Sequence, residues 1–310
     1  MRVRAVALAA TLTIFGGVFL AFPFCSPASA SGPLNVVVTI PVLKDLAIQV
    51  GGPHVSVHSL LSGLESEHTY SPKPSDLVAI RNARVLLEVG VGLEVWVRSL
   101  IRNAGNPRLL VVTTSKGIAL IRKRGQKADR LGAGLRRQQL GNPHVWLDPE
   151  NAKVMVRHIT EAFIQTDSGH AKVYRNNQAE YLRQLDELQR ELVNRVRGLT
   201  DRRVIVHHPA WPYFARRFGF SIEGEIVSQV GAEPSAKHLQ ALVKRIRDKQ
   251  IRVIVSEPQL NQKIPQVLAR ETDARVVVLT PLPGGIPGTQ TYLDMLRYDV
   301  LELAKALERS

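Results

Sequence analysis

The sequence predicts an α/β protein of two lobes, each built on a parallel sheet, joined by one long α-helix. Short apolar runs rich in β-branched residues alternate with helical patterns, as in a parallel sheet covered on both faces. The runs form two sets, with one long amphipathic stretch between them. They cover residues 36–40, 85–89 and 109–112 in the first set and 203–206, 252–255 and 276–279 in the second. We therefore expect an N-terminal lobe over 33–170, a linking helix over 171–198 and a C-terminal lobe over 199–310.

The composition is that of a globular protein and excludes a disordered or fibrous chain. The 310 residues are 45% hydrophobic, 22% charged and 5% aromatic, and this length allows two domains. Lysine and arginine number 41 against 27 acidic residues, so the formal net charge is +14. Such an excess suits an anionic surface. Few aromatic residues and the absence of a recognisable motif argue against a nucleic-acid-binding protein.

Residues 1–30 have the pattern of a secretory signal peptide. Two arginines fall within the first four residues, residues 5–22 are apolar and uncharged, and residues 28–30 read Ala-Ser-Ala, a cleavage signature. The alternative is an uncleaved anchor, because about 18 apolar residues lie at the lower limit for spanning a bilayer. We expect cleavage and a periplasmic location.

Cys25 is the only cysteine, and it lies inside the predicted signal peptide. Lipidation of this residue is a third interpretation, but the residues before it, 22–24, are Phe-Pro-Phe and lack the small side chains of a lipoprotein signal. Cleavage leaves a chain without cysteine. Disulfides and thiolate metal sites are thereby excluded from the mature protein.

The helical elements have recognisable signals. Tyr174, Tyr181 and Leu188 recur every seven residues within 171–197, which gives one apolar stripe on a charged helix. Such a helix is roughly 40 Å long and could run along both lobes; the alternative is a short coiled coil. An earlier helix is expected to begin at Asp148-Pro149, where the aspartate can cap free N–H groups and proline suits the first turn.

Residues 122–137 form a basic, glycine-containing segment, with seven basic residues, one acidic residue and three glycines. This composition predicts an exposed loop. A weaker interpretation is docking to an acidic or anionic surface.

Three of the nine histidines lie where a strand-to-helix connection is expected. His68 lies in a turn-rich segment, His144 immediately precedes a helix cap, and His208 stands where a strand ends and a helix begins. Open parallel sheets bind ligands beyond the carboxyl ends of their strands. Three imidazoles meeting there could bind Zn²⁺, with one further oxygen or water completing a tetrahedron. The alternative for each is a hydrogen-bonded loop histidine, since each neighbours a proline-containing turn.

The other histidines are weaker candidates. His207 competes with His208, because neighbouring strand residues point to opposite sides. The rest fall in polar or helical contexts and are interpreted as solvated: His54, His58, His158, His170 and His238.

Six motifs resemble one family in order over essentially the whole mature chain. They read SEHTYSPKPSD, VGVGLEVWV, NPHVWLDP, HPAWPYFARRFGF, SEPQ and TYLDMLRYDVLELAKAL. The chain is similar to the metal-binding, substrate-binding proteins of bacterial ABC importers for zinc and manganese. The resemblance implies a rigid linking helix and a divalent metal held in the cleft between the lobes by His68, His144 and His208. Manganese-type members place a carboxylate where His208 stands, so this nitrogen-rich set favours Zn²⁺.

The fourth ligand is where the sequence departs from the family. Many members have an aspartate where Thr280 stands here, and a neutral hydroxyl is a poor substitute for a carboxylate. Glu67 resembles a glutamate that can reach the metal in some zinc-binding members. We expect either Glu67 or water as the fourth ligand. The family's histidine-rich loop, a metal-scavenging feature, is absent between His68 and His144.

Two other site interpretations were weighed. Glu257 could act as the general base of an exported zinc hydrolase, although the sequence has no His-Glu-x-x-His motif. Gly90 and Gly92 begin like a dinucleotide fingerprint, but Val95 replaces its third glycine. A tight strand-to-helix turn is the favoured interpretation of that segment.

The function predicted from the sequence is capture of Zn²⁺, with Mn²⁺ as the second choice, and its delivery to the membrane permease of an ABC importer. We expect a monomer that is not an enzyme and does not bind nucleic acid. A surface adhesin of the same fold is the main alternative. Small lobe movements are expected because the long helix restricts hinge motion.

Overall fold

The computed structural model describes residues 32–122, 141–228 and 230–308. The predicted signal peptide and nearly all of the basic segment 122–137 lie outside these residues. Contacts between residues separate the chain into two units, which meet between Gly32 and Pro33. The fold described below is that of the unit Pro33–Ser310.

The N-terminal lobe contains a four-stranded parallel sheet in the order β2-β1-β3-β4. Its strands are β1 (Leu34–Val38), β2 (Val55–Ser59), β3 (Val85–Glu88) and β4 (Leu110–Thr113). Its helices are α1 (Pro41–Gly51), α2 (Pro74–Asn82), α3 (Val97–Ala104) and α4 (Pro149–Thr166). Strand β3 is buried along its whole length, as expected for a strand covered on both faces.

The C-terminal lobe repeats this plan, with a parallel sheet in the order β6-β5-β7-β8. Its strands are β5 (Arg203–Val206), β6 (Ser221–Glu225), β7 (Val253–Ser256) and β8 (Arg275–Val278). Its helices are α6 (Pro212–Phe218), α7 (Ala236–Asp248), α8 (Lys263–Thr272) and α9 (Tyr292–Glu308). The prediction of two lobes with parallel sheets is confirmed.

The linking helix α5 spans Ala171–Val196 and, in sequence order, lies between the strands of the two sheets. One stripe of its side chains is buried: Tyr174, Tyr181, Leu185, Leu188, Leu192 and Val196. The helix contacts α1 and α4 of the N-terminal lobe and α6 and α9 of the C-terminal lobe. The long helix predicted from the heptad spacing is therefore confirmed, and it packs on both lobes.

Helix α4 begins as predicted. Asp148 is its cap, with the side-chain Oδ1 accepting a hydrogen bond from Glu150 N at 3.0 Å, and Pro149 occupies the first turn. The same carboxylate also binds Arg216 and Arg217 of α6. A single buried side chain thus caps a helix of one lobe and holds a helix of the other.

Several further hydrogen bonds join the lobes. Trp146 Nε1 donates to Pro281 O at 2.7 Å, and Tyr292 OH donates to Trp146 O at 2.6 Å. Tyr292 N, at the start of α9, donates to Asp45 Oδ2 of α1 at 2.9 Å. These buried contacts favour small relative movements of the lobes, which stay a prediction. In the part of the chain described, no helix is long and apolar enough to cross a membrane.

Candidate metal centre

Four side chains from three loops meet between the lobes. Glu67 and His68 lie in the connection from β2 to α2, and His144 precedes the short turn Val145–Leu147 before α4. His208 follows β5 and precedes α6. Because parallel strands end at the same edge of each sheet, their connections bring these residues to one place.

The possible ligand atoms of these side chains lie within 4.8 Å of one another. His144 Nε2 is central to the group. It lies 3.1 Å from His68 Nε2, 3.3 Å from His208 Nε2 and 3.2 Å from Glu67 Oε1. Glu67 Oε1 is 3.8 Å from His68 Nε2. The structure therefore brings together the three histidines and the glutamate selected from the sequence.

The cluster is largely withdrawn from solvent. Glu67, His144 and His208 are 2 to 3% exposed, whereas the side chain of His68 is 25% exposed. The cleft in front of the cluster has a volume of about 770 Å³, and His68, His144 and His208 line it. An ion can therefore reach the cluster from the cleft on the side of His68.

The second ring nitrogen of each buried histidine has an acceptor. His144 Nδ1 lies 3.0 Å from Asn142 Oδ1, which also accepts the His144 backbone N–H. His208 Nδ1 lies 2.8 Å from the Glu257 carboxylate. These contacts place the proton on Nδ1 of each neutral ring and direct Nε2 to the cluster, as in protein metal sites.

The electrostatics differ between the two neighbouring histidines. Burial lowers the pKa of His208, but the carboxylates of Glu257, Glu67 and Glu225 together outweigh burial, and the net pKa is raised. His207 has the opposite shift, because burial lowers its pKa. Its Nδ1 lies 3.1 Å from Ser256 Oγ, and it is not one of the clustered side chains. Of the two candidates weighed from the sequence, the structure places His208 in the cluster.

Glu67 has the environment of a cation ligand. Its Oε1 is buried and accepts no hydrogen bond from any described residue. A buried carboxylate oxygen without a donor is costly unless a positive charge compensates it. The backbone of Glu67 is fixed separately, since Trp96 Nε1 donates to its carbonyl oxygen at 3.1 Å.

Thr280 does not contribute to the cluster. Its hydroxyl donates to Leu282 O at 2.7 Å, and its backbone N–H donates to Asp299 Oδ1 at 2.9 Å. The hydroxyl is thus used within its own turn. Between the two expectations for the fourth ligand, this geometry favours Glu67, which already lies among the imidazoles.

The remaining five histidines are outside the cluster, but they are not uniformly solvated. His58 and His238 are exposed. His54 and His170 are half-buried and stack with ring centroids 3.9 Å apart, and half-buried His158 binds Lys116 O at 2.9 Å. These three side chains are therefore only partly solvated, because contacts with other residues cover part of each.

The glycine segment after β3 is a tight turn, as favoured from the sequence. Gly90, Val91 and Gly92 have φ angles of 84°, 57° and 73°. The buried carboxylate of Glu94 accepts the backbone N–H groups of Val89 and Gly90 at 2.8 and 3.0 Å. A bound phosphate would need these N–H groups as donors, but the Glu94 side chain already accepts them. Burial raises the pKa of Glu94 to about 7.

Two lobes, a long linking helix and a largely buried group of three imidazoles and one carboxylate define the class of metal-binding receptors that serve ABC importers. Comparison of the sequence with models of known protein families identifies the family directly. Residues 36–306 match the model of the ZnuA family, described as zinc-uptake complex component A, periplasmic. The chain belongs to this family.

Individual relatives are similar over most of their length. The chain is 28% identical over 307 residues to the high-affinity zinc uptake system protein ZnuA of Brucella abortus (strain 2308), covering 88% of this chain and 92% of the relative. It is 24% identical to the manganese-binding lipoprotein MntA of Halalkalibacterium halodurans, covering 86% of each. A zinc-bound crystal structure of a ZnuA deletion mutant superimposes with a TM-score of 0.77 at 27% identity, covering 88% of this chain and 98% of that one.

Sequence reasoning missed the groups that orient the histidines. Asn142 stands two residues before His144 in the motif NPHVWLDP, so its position was an available signal. The sequence suggests Glu257 only as a possible general base, because no pattern places it beside His208, 49 residues away.

Proposed function

We propose that the protein is a periplasmic receptor that binds one Zn²⁺ through Glu67, His68, His144 and His208 and delivers it to the permease of an ABC importer. The separations of the four donor atoms carry this proposal. A tetrahedron with zinc–ligand bonds of 2.0–2.1 Å has edges of about 3.3 Å. The contacts at His144 Nε2 are 3.1, 3.2 and 3.3 Å. Of the other three separations, Glu67 Oε1–His68 Nε2 is 3.8 Å and none exceeds 4.8 Å, so these donors must move closer together to enclose an ion.

Ligand chemistry supports zinc over manganese. Imidazole nitrogen suits Zn²⁺, whereas Mn²⁺ prefers carboxylate, carbonyl and water oxygens in octahedral geometry. The cluster offers three nitrogens and one carboxylate. Since a relative is named for manganese binding, the choice of metal needs a direct test.

The site is suited to binding and not to hydrolysis. A zinc hydrolase keeps one position open for water and needs a general base beside it. Here Glu67 lies among the imidazoles, and Glu257 accepts hydrogen bonds from His208 and Trp211. Glu67 and Glu257 are thus both engaged in other contacts, and neither is available as a general base. We therefore propose that the protein is not an enzyme.

The family and the predicted export support delivery to a permease. The family description is periplasmic, which agrees with the signal peptide expected at residues 1–30. Cleavage after residue 30 is tested by sequencing the N-terminus of the protein purified from periplasm. Association with the permease is tested by co-purification of the loaded receptor with the membrane permease of an ABC importer.

Metal binding is tested by titrating chelator-stripped protein in competition with a chromophoric zinc chelator and by elemental analysis. We expect one Zn²⁺ per chain, bound in preference to Mn²⁺. Replacing His144 by alanine removes the central donor, and we expect affinity to fall at least a hundredfold. His58→Ala is the matched control, because His58 is exposed on β2 and outside the cluster.

Two results would overturn the proposal. If His144→Ala and His58→Ala bind zinc with the affinity of the wild type, the cluster is not the zinc site. If stripped protein binds Mn²⁺ more tightly than Zn²⁺ at equal concentration, the cargo assignment is wrong. Adhesion to host matrix proteins, tested with metal-free and loaded protein, addresses the adhesin alternative.

A further inference from the structure

The two lobes contribute unequally to the metal cluster. Glu67, His68 and His144 all precede the linking helix, whereas His208 follows it. Among these four donors, His208 is the one that comes from the C-terminal lobe. The strength with which a bound ion joins the lobes therefore depends on how firmly this single imidazole is held.

His208 is held by a buried carboxylate. Its Nδ1 lies 2.8 Å from both carboxylate oxygens of Glu257, and its Nε2 faces His144 Nε2 at 3.3 Å. The side chains of His208 and Glu257 are 4% and 1% exposed. With Nδ1 bound to the carboxylate, the imidazole presents Nε2 to the cluster.

Glu257 is itself fixed from two directions. It directly follows β7, and its backbone oxygen accepts hydrogen bonds from Leu260 N at 3.1 Å and Gln262 Nε2 at 2.5 Å. Its Oε1 accepts the indole N–H of Trp211 at 2.9 Å. Trp211 is 2% exposed and lies three residues after His208. The carboxylate cannot turn away from His208 without losing this buried donor.

The partner of His208 differs in charge from the partner of His144. His144 Nδ1 faces the neutral amide of Asn142, at 3.0 Å. Among the described residues, the basic side chain within ion-pair distance of Glu257 is His208. A buried carboxylate without a lysine or arginine is costly, and a positive charge on the other side of the imidazole offsets this cost. Charge-assisted hydrogen bonds are also stronger than neutral ones.

We infer that Glu257, fixed by Trp211, is the positioning residue that makes His208 a strong donor and joins the C-terminal lobe to the bound ion. This inference rests on the proposed zinc-binding function. Partners of this kind typically change metal affinity by 10–100-fold. Glu257 touches His208 and not the ion, so its effect must pass through the imidazole.

The test is a thermodynamic cycle on zinc affinity with Glu257→Gln, His208→Ala and the double variant. Glutamine keeps the shape of glutamate and removes its charge. We expect Glu257→Gln to lower zinc affinity 10–100-fold in the wild-type background. We expect it to change affinity less than twofold when His208 is already alanine.

A second variant and a matched control guard against effects on folding. Trp211→Phe keeps the aromatic ring and removes the N–H donor, so we expect a smaller loss of affinity that disappears when Glu257 is glutamine. Glu88→Gln is the control, because it is the same substitution at a buried carboxylate outside the cluster, one that pairs with Arg98. We expect wild-type zinc affinity for this control.

The outcomes separate this inference from the proposed function. Absence of zinc binding by the wild type would overturn both. Wild-type binding that needs His144 but is unchanged by Glu257→Gln would overturn the inference alone. An equal loss of affinity with and without His208 would also overturn it, because the carboxylate would then act on the fold and not through the imidazole.

Discussion

Replacing Asp148 by alanine should destabilise the protein more than the loss of any single surface contact would. Its carboxylate caps a helix of the N-terminal lobe and binds two arginines of the C-terminal lobe. The side chain is 1% exposed and accepts Glu150 N at the start of α4. It also accepts Arg217 Nε at 2.6 Å and Arg216 Nη2 at 3.3 Å from α6. The arginine side chains are 28% and 50% exposed. The variant therefore loses a helix cap and two interlobe ion pairs together.

The size of the effect follows from these exposures. Loss of an aspartate cap costs about 1 kcal/mol. Breaking a fully buried ion pair costs about 3–5 kcal/mol, whereas exposed pairs contribute about 0–1 kcal/mol. Since the acid is buried and the arginines are partly exposed, about 2 kcal/mol is expected for the pairs. Asp148→Ala should lower the free energy of unfolding by about 3 kcal/mol in total.

Asparagine at the same position separates the two contributions. Asp148→Asn keeps an acceptor for the cap and loses the charge, so we expect a loss of about 2 kcal/mol. The assay is urea unfolding of the metal-free proteins at neutral pH. Free energies of unfolding are compared between variants that have the same m-value as the wild type. Asp248→Ala, which removes an exposed pair with Lys244, should stay within about 0.5 kcal/mol of wild type. A loss below 0.5 kcal/mol for Asp148→Ala would refute the reasoning.

Four smaller predictions concern pH, packing and metal. Burial raises the pKa of Asp299 well above 3.8, so its ionisation costs the folded state free energy once the pH exceeds the pKa of aspartate in the unfolded chain. Asp299→Asn should therefore raise the free energy of unfolding at pH 7 and leave it unchanged at pH 3.5, as measured by urea unfolding. A β-carbon on Gly51 would lie 2.3 Å from Val55 Cγ2; Gly51→Ala should cost about 1–3 kcal/mol, and Gly198→Ala, where nothing lies within 4 Å, should not. Zinc at a hundredfold excess over its Kd should stabilise the protein by about 2.7 kcal/mol, and chelator should reverse this in calorimetry. The carboxylates around His208, chiefly Glu257, outweigh burial and raise its pKa above 6.5. Protons should therefore compete with zinc already above that pH, and affinities constant from pH 7.5 to 6 would contradict this.

The parts of the fold that the sequence predicted are those with strong local signals. The central strands β1, β3, β5 and β7 are apolar runs, and the start of α4 has its cap and proline in adjacent positions. The linking helix has seven-residue spacing of buried side chains. In each case neighbouring residues alone contain the information. The lobe boundaries, the signal peptide and the monomeric state stay predictions.

Strands β2 and β6 were not predicted, and both lie at sheet edges. Strand β2 reads VSVHS and is half-exposed, while β6 reads SIEGE and has one large apolar residue. An edge strand can have apolar residues on fewer positions, and β2 and β6 have too few to differ from a loop. The other two edge strands, β4 and β8, read LVVT and RVVV and are predicted from their apolar runs. What makes β2 and β6 strands is hydrogen bonding to β1 and β5, which the local sequence does not contain.

By itself the sequence determined the alternation of strands and helices, the long helix and, through its motifs, the three histidines. The tertiary structure decided how these residues are used. It placed Glu67 among the imidazoles, kept Thr280 within its own turn, and set Glu257 behind His208. Periodicity is a property of neighbours along the chain, whereas the arrangement of donors around an ion depends on distances between segments that only the folded chain brings together.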